Sequence, residues 1–273
     1  MLLTTTLGGC VSERREQDIG DAMAAEVNAQ LPLVHDPVLN AYVTSLGRLL
    51  ARESSRPRLD YHFYLINSSG VNAFALPGGY VYVTRGLIER TRRGGELAAV
   101  LAHEIGHVAA RHGVEKLQRY MRTGSLVNFL YNVILGGEPL LLRENALQLT
   151  GVLWSASHSR EDEEKADHLA VQYLLRAGID PQGVVTLLEE LLREEKADSA
   201  RGYEVAAWFS THPLTSTRIT EAKRAIVTES RQEKSRPEKS RPVPLRIDSY
   251  TAFLERVAKL PPPIDADEEP GDR

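Results

Sequence analysis

The chain has 273 residues, of which 42% are hydrophobic and 26% are charged, and its formal net charge is −4. A chain of this length can bury a substantial core, so one compact domain with short extensions is the simplest organisation. A protein that binds nucleic acid usually carries an excess of basic residues, and this chain has a net negative charge, which excludes nucleic acid as a partner. A single cysteine, Cys10, excludes a disulfide within the chain.

The first ten residues look like the end of a bacterial lipoprotein signal. Leu7, Gly8 and Gly9 precede Cys10, as at a site where lipid is attached and a leader is removed. The basic region is missing and the apolar stretch is short, so residues 1–10 are predicted to be an incomplete lipoprotein signal. Cys10 would then tether the protein to a membrane, and Val11 favours the periplasmic face of the outer membrane. A frayed terminus with an incidental cysteine is the alternative.

Helices with a small hairpin are predicted for the rest of the chain. Two helices open the domain at about residues 15–30 and 38–52. Short strands follow at about 61–66, 72–76 and 80–84, and Pro77-Gly78-Gly79 supplies the turn between the last two. Long helices then continue to about residue 228. The predicted fold class is α+β, mainly helical, with one small antiparallel β-sheet.

The most informative segment reads His103-Glu104-Ile105-Gly106-His107 and lies in a predicted helix over about residues 96–111. Residues four apart share a helix face, so His103 and His107 can reach one metal ion. Glu104 lies about 100° around the helix, where it can take a proton from a water held by the ion. These ligand types favour one Zn²⁺ per chain. A helix that carries the three residues by coincidence is the alternative.

A catalytic zinc takes three protein ligands and leaves a fourth position for water. Position 113 is Gly, so no histidine follows His107 at the spacing of six residues. His112 lies half a turn off the ligand face and is predicted to be a surface or helix-terminal histidine. The third ligand must therefore come from another part of the chain.

Glu163 is the predicted third ligand, in an acidic helix that ends near residue 176. The helix buries a stripe of apolar residues at helical spacing, namely Ala166, Leu169, Ala170, Tyr173 and Leu174. Glu163 lies on this stripe, where a zinc ion offsets the cost of burying a carboxylate. Asp167 shares the face and could bond the free ring nitrogen of a zinc-binding histidine. The alternative is that these acids are simply favoured at a helix N-terminus by the helix dipole, which explains Glu161, Asp162 and Glu164 well and Glu163 badly.

The remaining segments are less specific. No run of eighteen apolar residues occurs, so no transmembrane span is expected.

Residues 125–142 are predicted to form either a core helix or a flap over the metal. His212 precedes a predicted helix over 215–227, and a lone loop histidine is usually solvated. Residues 229–247, which contain a repeated Glu-Lys-Ser-Arg-Pro, are predicted to be a charged flexible linker, and 248–273 a short helix with an acidic tail.

Four ordered blocks of the sequence resemble one family, the gluzincin metallopeptidases of the HtpX heat-shock protease, the type I CAAX prenyl endopeptidase and the periplasmic β-barrel assembly-enhancing protease. The blocks lie at residues 71–79, 103–107, 159–167 and 210–213. The resemblance covers about residues 20–228 and implies a zincin-like domain. It also implies zinc ligands at His103, His107 and Glu163, with Glu104 as the catalytic acid/base. It places His212 at the zinc cleft, either as a donor to the oxyanion or in the open zinc position of a resting state.

The sequence therefore predicts a zinc endopeptidase with its catalytic domain over residues 11–228. Substrates implied by the resemblance are unfolded or misassembled cell-envelope proteins. An extended peptide would add to the edge of the strand before the zinc helix, at Asn72, Ala73, Phe74 and Ala75. The alternative function is a chaperone-like assembly factor whose zinc site is capped and rarely cleaves.

Overall fold

The computed structural model describes residues 11–122, 158–198, 211–213, 216–234 and 250–263. The helices are α1 (Glu13–Gln30), α2 (Pro37–Arg52), α3 (Arg85–Arg90), α4 (Gly94–Ala109), α5 (His112–Arg122), α6 (Arg160–Arg176), α7 (Gln182–Asp198), α8 (Ser216–Lys234) and α9 (Tyr250–Val257). The strands are β1 (His62–Ile66), β2 (Ala73–Leu76) and β3 (Tyr80–Thr84). The predicted fold class is confirmed: the protein is mainly helical with one small sheet.

Capping side chains explain where three of the helices begin. Ser12 accepts a hydrogen bond from a backbone N–H in the first turn of α1, and Asp36 does the same for α2, in which Pro37 is the first residue. Ser159 and Asp162 form a reciprocal capping box at the start of α6. These bonds satisfy backbone N–H groups that have no partner within the helix.

The sheet has the order β1-β3-β2 and is mixed. β2 and β3 are antiparallel, with Ala73 opposite Val83, as the hairpin predicted. β1 and β3 are parallel, with His62 opposite Tyr80, so the prediction of a purely antiparallel sheet was wrong for this pair. The reason is that the chain leaving β1 passes the position of β3 before it forms β2 at the sheet edge. It then returns through a tight turn in which Gly78 and Gly79 have φ of 79° and 97°.

This turn packs closely against α1. A Cβ atom at Gly20 would lie 2.2 Å from the carbonyl oxygen of Pro77. We expect Gly20→Ala to lower the free energy of unfolding by about 1–3 kcal/mol, because the backbone must shift to admit the methyl group. Urea unfolding followed by circular dichroism measures this. Gly95→Ala is the matched control, since its Cβ would meet nothing nearer than 3.8 Å, and equal stability of the two variants would contradict the prediction.

Helix α4 runs through the centre of the domain. Its side chains are buried on nearly every face, including Leu97, Val100 and Leu101. It packs against α2, α6 and α7 and against β2. A helix that is buried all round is held rigidly, so groups on it have fixed positions.

The last described helix, α9, lies against α2. Phe253 stacks on Tyr42 with ring centroids 4.4 Å apart, and Val257 is fully buried. Arg256 forms an ion pair of 2.8 Å with Asp36. The helix predicted near the C-terminal end is therefore present at Tyr250–Val257.

Helix α8 extends farther than the sequence suggested. Residues 229–234 were predicted to belong to a linker, but they are helical. Glu229 explains the extension in part, because its carboxylate lies 3.2 Å from His168 on α6. The rest of the predicted linker, the signal at 1–10, the segment at 125–142 and the tail beyond 263 lie outside the described residues. In the described part of the chain, none of the helices combines the length and the apolar character that crossing a membrane requires.

Candidate metal centre

His103 and His107 lie one turn apart on α4 and point the same way. Their Nε2 atoms are 3.0 Å apart. Both side chains are buried, with 5% and 3% of their surface exposed. Two ring nitrogens at this distance inside a protein are typical of ligands that share one cation.

Glu163 completes a triangle with the two histidines. It lies in the first turn of α6 and is fully buried. Its Oε2 atom is 3.4 Å from His103 Nε2, and its Oε1 atom is 3.3 Å from His107 Nε2. The structure therefore brings together the three residues that were predicted as ligands, from two helices that are distant in sequence.

The spacing of these atoms suits zinc. Ligands about 2.0–2.2 Å from a tetrahedral zinc ion lie about 3.3–3.6 Å from one another, and the observed separations are 3.0–3.4 Å. Two imidazoles and a carboxylate are also a common donor set for this ion. The residues present therefore fit one zinc ion.

Glu104 lies beside this group rather than in it. It is 1% exposed, and its Oε1 atom has no hydrogen bond among the described residues. Burial raises the pKa of its carboxyl group. A buried oxygen that accepts no hydrogen bond can accept one from a group that approaches it, such as a water or a substrate atom.

A close approach of α4 and α6 brings Glu163 to the histidines. A Cβ atom at Gly106 would lie 3.1 Å from the carbonyl oxygen of Ala166. The glycine within the HExxH segment therefore lets the two backbones approach closely. This explains why position 106, one of the three between the histidine ligands, is a glycine.

Asp167 lies against His103. Its Oδ1 atom is 2.8 Å from His103 Nδ1, the ring nitrogen that faces away from the other ligands. Although burial acts to raise it, Arg218 and His103 hold the pKa of Asp167 below its usual range. A carboxylate in this position fixes the ring and the tautomer of a histidine ligand.

Arg218 is a part of the site that the sequence analysis missed. It is 2% exposed, and its Nε and Nη2 atoms donate to the two carboxylate oxygens of Asp167 at 2.7 and 2.8 Å. Its Nη1 atom lies 2.7 Å from Glu163 Oε2 and donates to the carbonyl oxygen of Pro213 at 3.1 Å. A helical spacing with Ala222 and Ala225, both buried, was the signal that could have placed Arg218 on the inner face of α8.

His212 is buried in the site and is not a solvated loop residue. Its Nδ1 atom lies 3.4 Å from His103 Nε2 and 3.1 Å from Glu163 Oε1, which are again ligand-to-ligand distances. Its Nε2 atom lies 3.3 Å from the carbonyl oxygen of Ala73 and 3.7 Å from Glu104 Oε1. His212 therefore stands at the fourth corner of the group, where its Nδ1 is a potential ligand.

The strand predicted to bind substrate borders the site. β2 is an edge strand, paired only with β3 among the described strands. The carbonyl oxygen of Ala73 faces His212, whereas Phe74 stacks on Tyr82 with ring centroids 4.7 Å apart. The backbone N–H of Asn72 donates to Thr84 Oγ1 at 3.0 Å. Within the predicted group of Asn72, Ala73, Phe74 and Ala75, the Ala73 carbonyl oxygen thus lies against a site residue.

His112 was predicted to lie at the surface or at a helix end. It does begin α5, after Arg111 turns the chain with a φ of 62°, but it is only 1% exposed. Its Nδ1 atom is 2.8 Å from His107 Nδ1. The ring of His158, which the sequence analysis did not single out, lies with its centroid 3.9 Å from that of His107. The surface interpretation of His112 was wrong because the tight turn at Arg111 folds α5 back against α4.

A helix-borne HExxH segment and a glutamate from a second helix, in a mainly helical α+β domain, define a gluzincin-type metallopeptidase. The comparison with known families agrees: the chain belongs to peptidase family M48, whose profile matches residues 17–226. The resemblance found in the sequence is thereby confirmed.

Curated relatives that match the chain are named as proteases or metalloendopeptidases. The chain is 32% identical over 243 residues to the β-barrel assembly-enhancing protease of Escherichia coli, a match that covers 84% of this chain and 48% of the relative. The protein of the same name from Yersinia pestis is 33% identical over 80% of this chain and 45% of its own length. The mitochondrial metalloendopeptidase OMA1 of Schizosaccharomyces pombe is 32% identical over 76% of this chain and 58% of its own. The chain spans about half the length of these relatives.

Proposed function

We propose that the protein is a zinc-dependent endopeptidase that cleaves unfolded or misassembled proteins of the cell envelope. The observation that carries this proposal is the convergence of His103, His107 and Glu163 beside Glu104, a buried carboxylate with an oxygen that lacks a hydrogen bond. The substrate class is supported by the names of the relatives, which refer to β-barrel assembly in Escherichia coli and Yersinia pestis.

The three ligand residues would hold one zinc ion. When bound, zinc would polarise the scissile carbonyl group and lower the pKa of the attacking water. Glu104 accepts the proton of that water and passes it to the leaving nitrogen, so it acts first as a base and then as an acid.

The edge strand β2 would hold the substrate in an extended form. Backbone hydrogen bonds to a sheet edge orient a peptide without reading its side chains, which suits an enzyme that acts on many unfolded chains. The carbonyl oxygen of Ala73 lies next to the metal residues, 3.3 Å from His212 Nε2. A substrate N–H that pairs with Ala73 would place the neighbouring peptide bond close to Glu104.

The proposed role of His212 is to occupy the fourth zinc position in a resting state. Its Nδ1 atom already lies 3.1–3.4 Å from atoms of Glu163 and His103. In this state the site would have no room for water, so the ring must leave before cleavage. The same observation favours the second candidate function, a chaperone-like assembly factor whose capped site rarely cleaves.

A periplasmic location is proposed on the basis of the sequence around Cys10. The small residues before this cysteine match a lipidation site, and lipid there would anchor the protein to the outer membrane. Such a location would bring the enzyme to the envelope proteins that are its proposed substrates.

Metal removal tests the proposed activity. We expect the purified protein to hold one zinc ion per chain and to cleave casein, to lose activity with a chelator, and to regain it with one equivalent of zinc. His212→Ala should raise casein turnover severalfold, because the fourth position is then open to water. His35→Ala, on the exposed surface, is the matched control. Bound zinc without cleavage, both in the wild type and in His212→Ala, would reject the endopeptidase and favour the chaperone-like factor.

A further inference from the structure

The second ring nitrogen of each histidine ligand meets a different partner. His103 Nδ1 lies 2.8 Å from the carboxylate of Asp167, which Arg218 holds from its other side. His107 Nδ1 lies 2.8 Å from another imidazole nitrogen, Nδ1 of His112. The HExxH segment explains neither contact, because both partners come from outside it.

The pair of imidazoles has only one productive arrangement of protons when His107 binds a cation. His107 Nε2 faces the ligand group and must offer its lone pair to the ion, so His107 Nδ1 carries the ring proton. A hydrogen bond of 2.8 Å then requires that His112 Nδ1 accepts. His112 must consequently carry its own proton on Nε2.

Asp162 stands on the far side of His112. Its Oδ1 atom lies 3.5 Å from His112 Nε2, and its own position is fixed by the capping box with Ser159 at the start of α6. This contact is not a hydrogen bond, but the negative charge of the carboxylate attracts a ring proton to Nε2 and so favours the acceptor state of Nδ1. Each histidine ligand thus contacts a side chain that has a charged residue on its far side, Arg218 behind Asp167 and Asp162 behind His112.

We propose that His112 is a positioning residue of the metal centre, which fixes the ring orientation and the Nδ1–H tautomer of His107 by accepting its hydrogen bond. This inference rests on the proposed zinc function. His112 touches neither the ion nor the substrate, and acts through His107. Loss of such a partner typically costs 10–100-fold in metal affinity.

Two substitutions separate this role from a merely structural one. His112→Leu fills the space but cannot accept a hydrogen bond. His112→Asn places an amide oxygen near the position of Nδ1, where it still can. The dissociation constant for zinc, measured by competition with a chromophoric chelator, should rise about 10–100-fold in His112→Leu and stay within about threefold of the wild type in His112→Asn.

A second readout reports the geometry of the ligands. Cobalt(II) replaces zinc in tetrahedral sites and absorbs visible light with an intensity that depends on ligand geometry. We expect the cobalt spectrum of His112→Asn to match the wild type and that of His112→Leu to differ. His35→Leu, at the exposed surface, serves as the control for removal of a histidine.

The outcomes are distinct. Wild-type zinc affinity and an unchanged cobalt spectrum in His112→Leu would overturn the inference, as would an equal loss of affinity in folded His112→Leu and His112→Asn. If His112→Leu fails to fold, the Asn variant decides, because retained affinity supports the hydrogen-bond role and lost affinity refutes it. A wild type that binds no zinc would instead refute the proposed function.

Discussion

Replacement of Glu104 by Gln should reduce kcat/KM for casein by about 10²–10⁴-fold, the usual contribution of a general base. The amide matches the carboxylate in shape but cannot accept the proton of the attacking water. Zinc content should stay at one ion per chain, because Glu104 is not a member of the ligand group. Fluorescence from labelled casein, together with metal analysis, measures both quantities.

The control for this variant is Glu115→Gln, which removes the same charge at an exposed position on α5. It should cleave casein at the wild-type rate. Cleavage by Glu104→Gln within a few-fold of the wild type would exclude Glu104 as the base. Loss of zinc from the variant would show instead that Glu104 belongs to the ligand set.

Removal of the Arg218 guanidinium should have the largest effect on stability. Arg218→Met leaves Glu163 and Asp167 as buried carboxylates without their cation, and breaking a buried ion pair from one side costs about 3–5 kcal/mol. We expect a loss of this size in the free energy of unfolding, measured with urea in the presence of a chelator so that metal does not compensate. The pKa of Asp167, now held low by Arg218, should rise towards its usual range.

Two further variants test whether the loss of stability comes from the buried carboxylates that Arg218 contacts. Arg224→Met removes an exposed arginine from the same helix and should change stability by less than about 1 kcal/mol. The double variant Arg218→Met with Asp167→Asn should recover part of the loss, because it removes one of the two stranded charges. Stability of Arg218→Met equal to that of Arg224→Met would show that the buried carboxylates need no cation from α8.

The sequence predicted those parts of the site that depend on spacing within one helix. His103 and His107 are four residues apart, and Glu163 lies on an apolar stripe, so helical geometry alone indicates which way each side chain points. The meeting of α4 with α6 followed from the chemistry, because a buried carboxylate on one helix and two histidines on another need a shared cation. The hairpin was likewise a local pattern, set by its Pro-Gly-Gly turn.

Features that depend on packing between elements could not be read in this way. The parallel pairing of β1 with β3 is set by the path of the chain across the sheet, which no local pattern records. His112 is buried only because Arg111 turns the chain with a positive φ. The spacing of Arg218 with Ala222 and Ala225 indicates which face of α8 it lies on, but its pairing with two carboxylates depends on the packing of α8 against α6. Whether a substitution is tolerated at these positions therefore depends on tertiary contacts and not on the local sequence pattern.

The glycine at position 106 has a consequence for how tightly the protein can hold a zinc ion. The histidines belong to one backbone and Glu163 to another, and the two backbones meet where a methyl group at Gly106 would come within 3.1 Å of the Ala166 carbonyl oxygen. A larger residue there would press on the helix that carries Glu163, and a small outward shift of that helix would lengthen the distance from the carboxylate to the histidines. Zinc bonds are short, about 2.0–2.2 Å, so such a shift would weaken zinc binding. Metal affinity therefore depends on a residue that does not bind the metal.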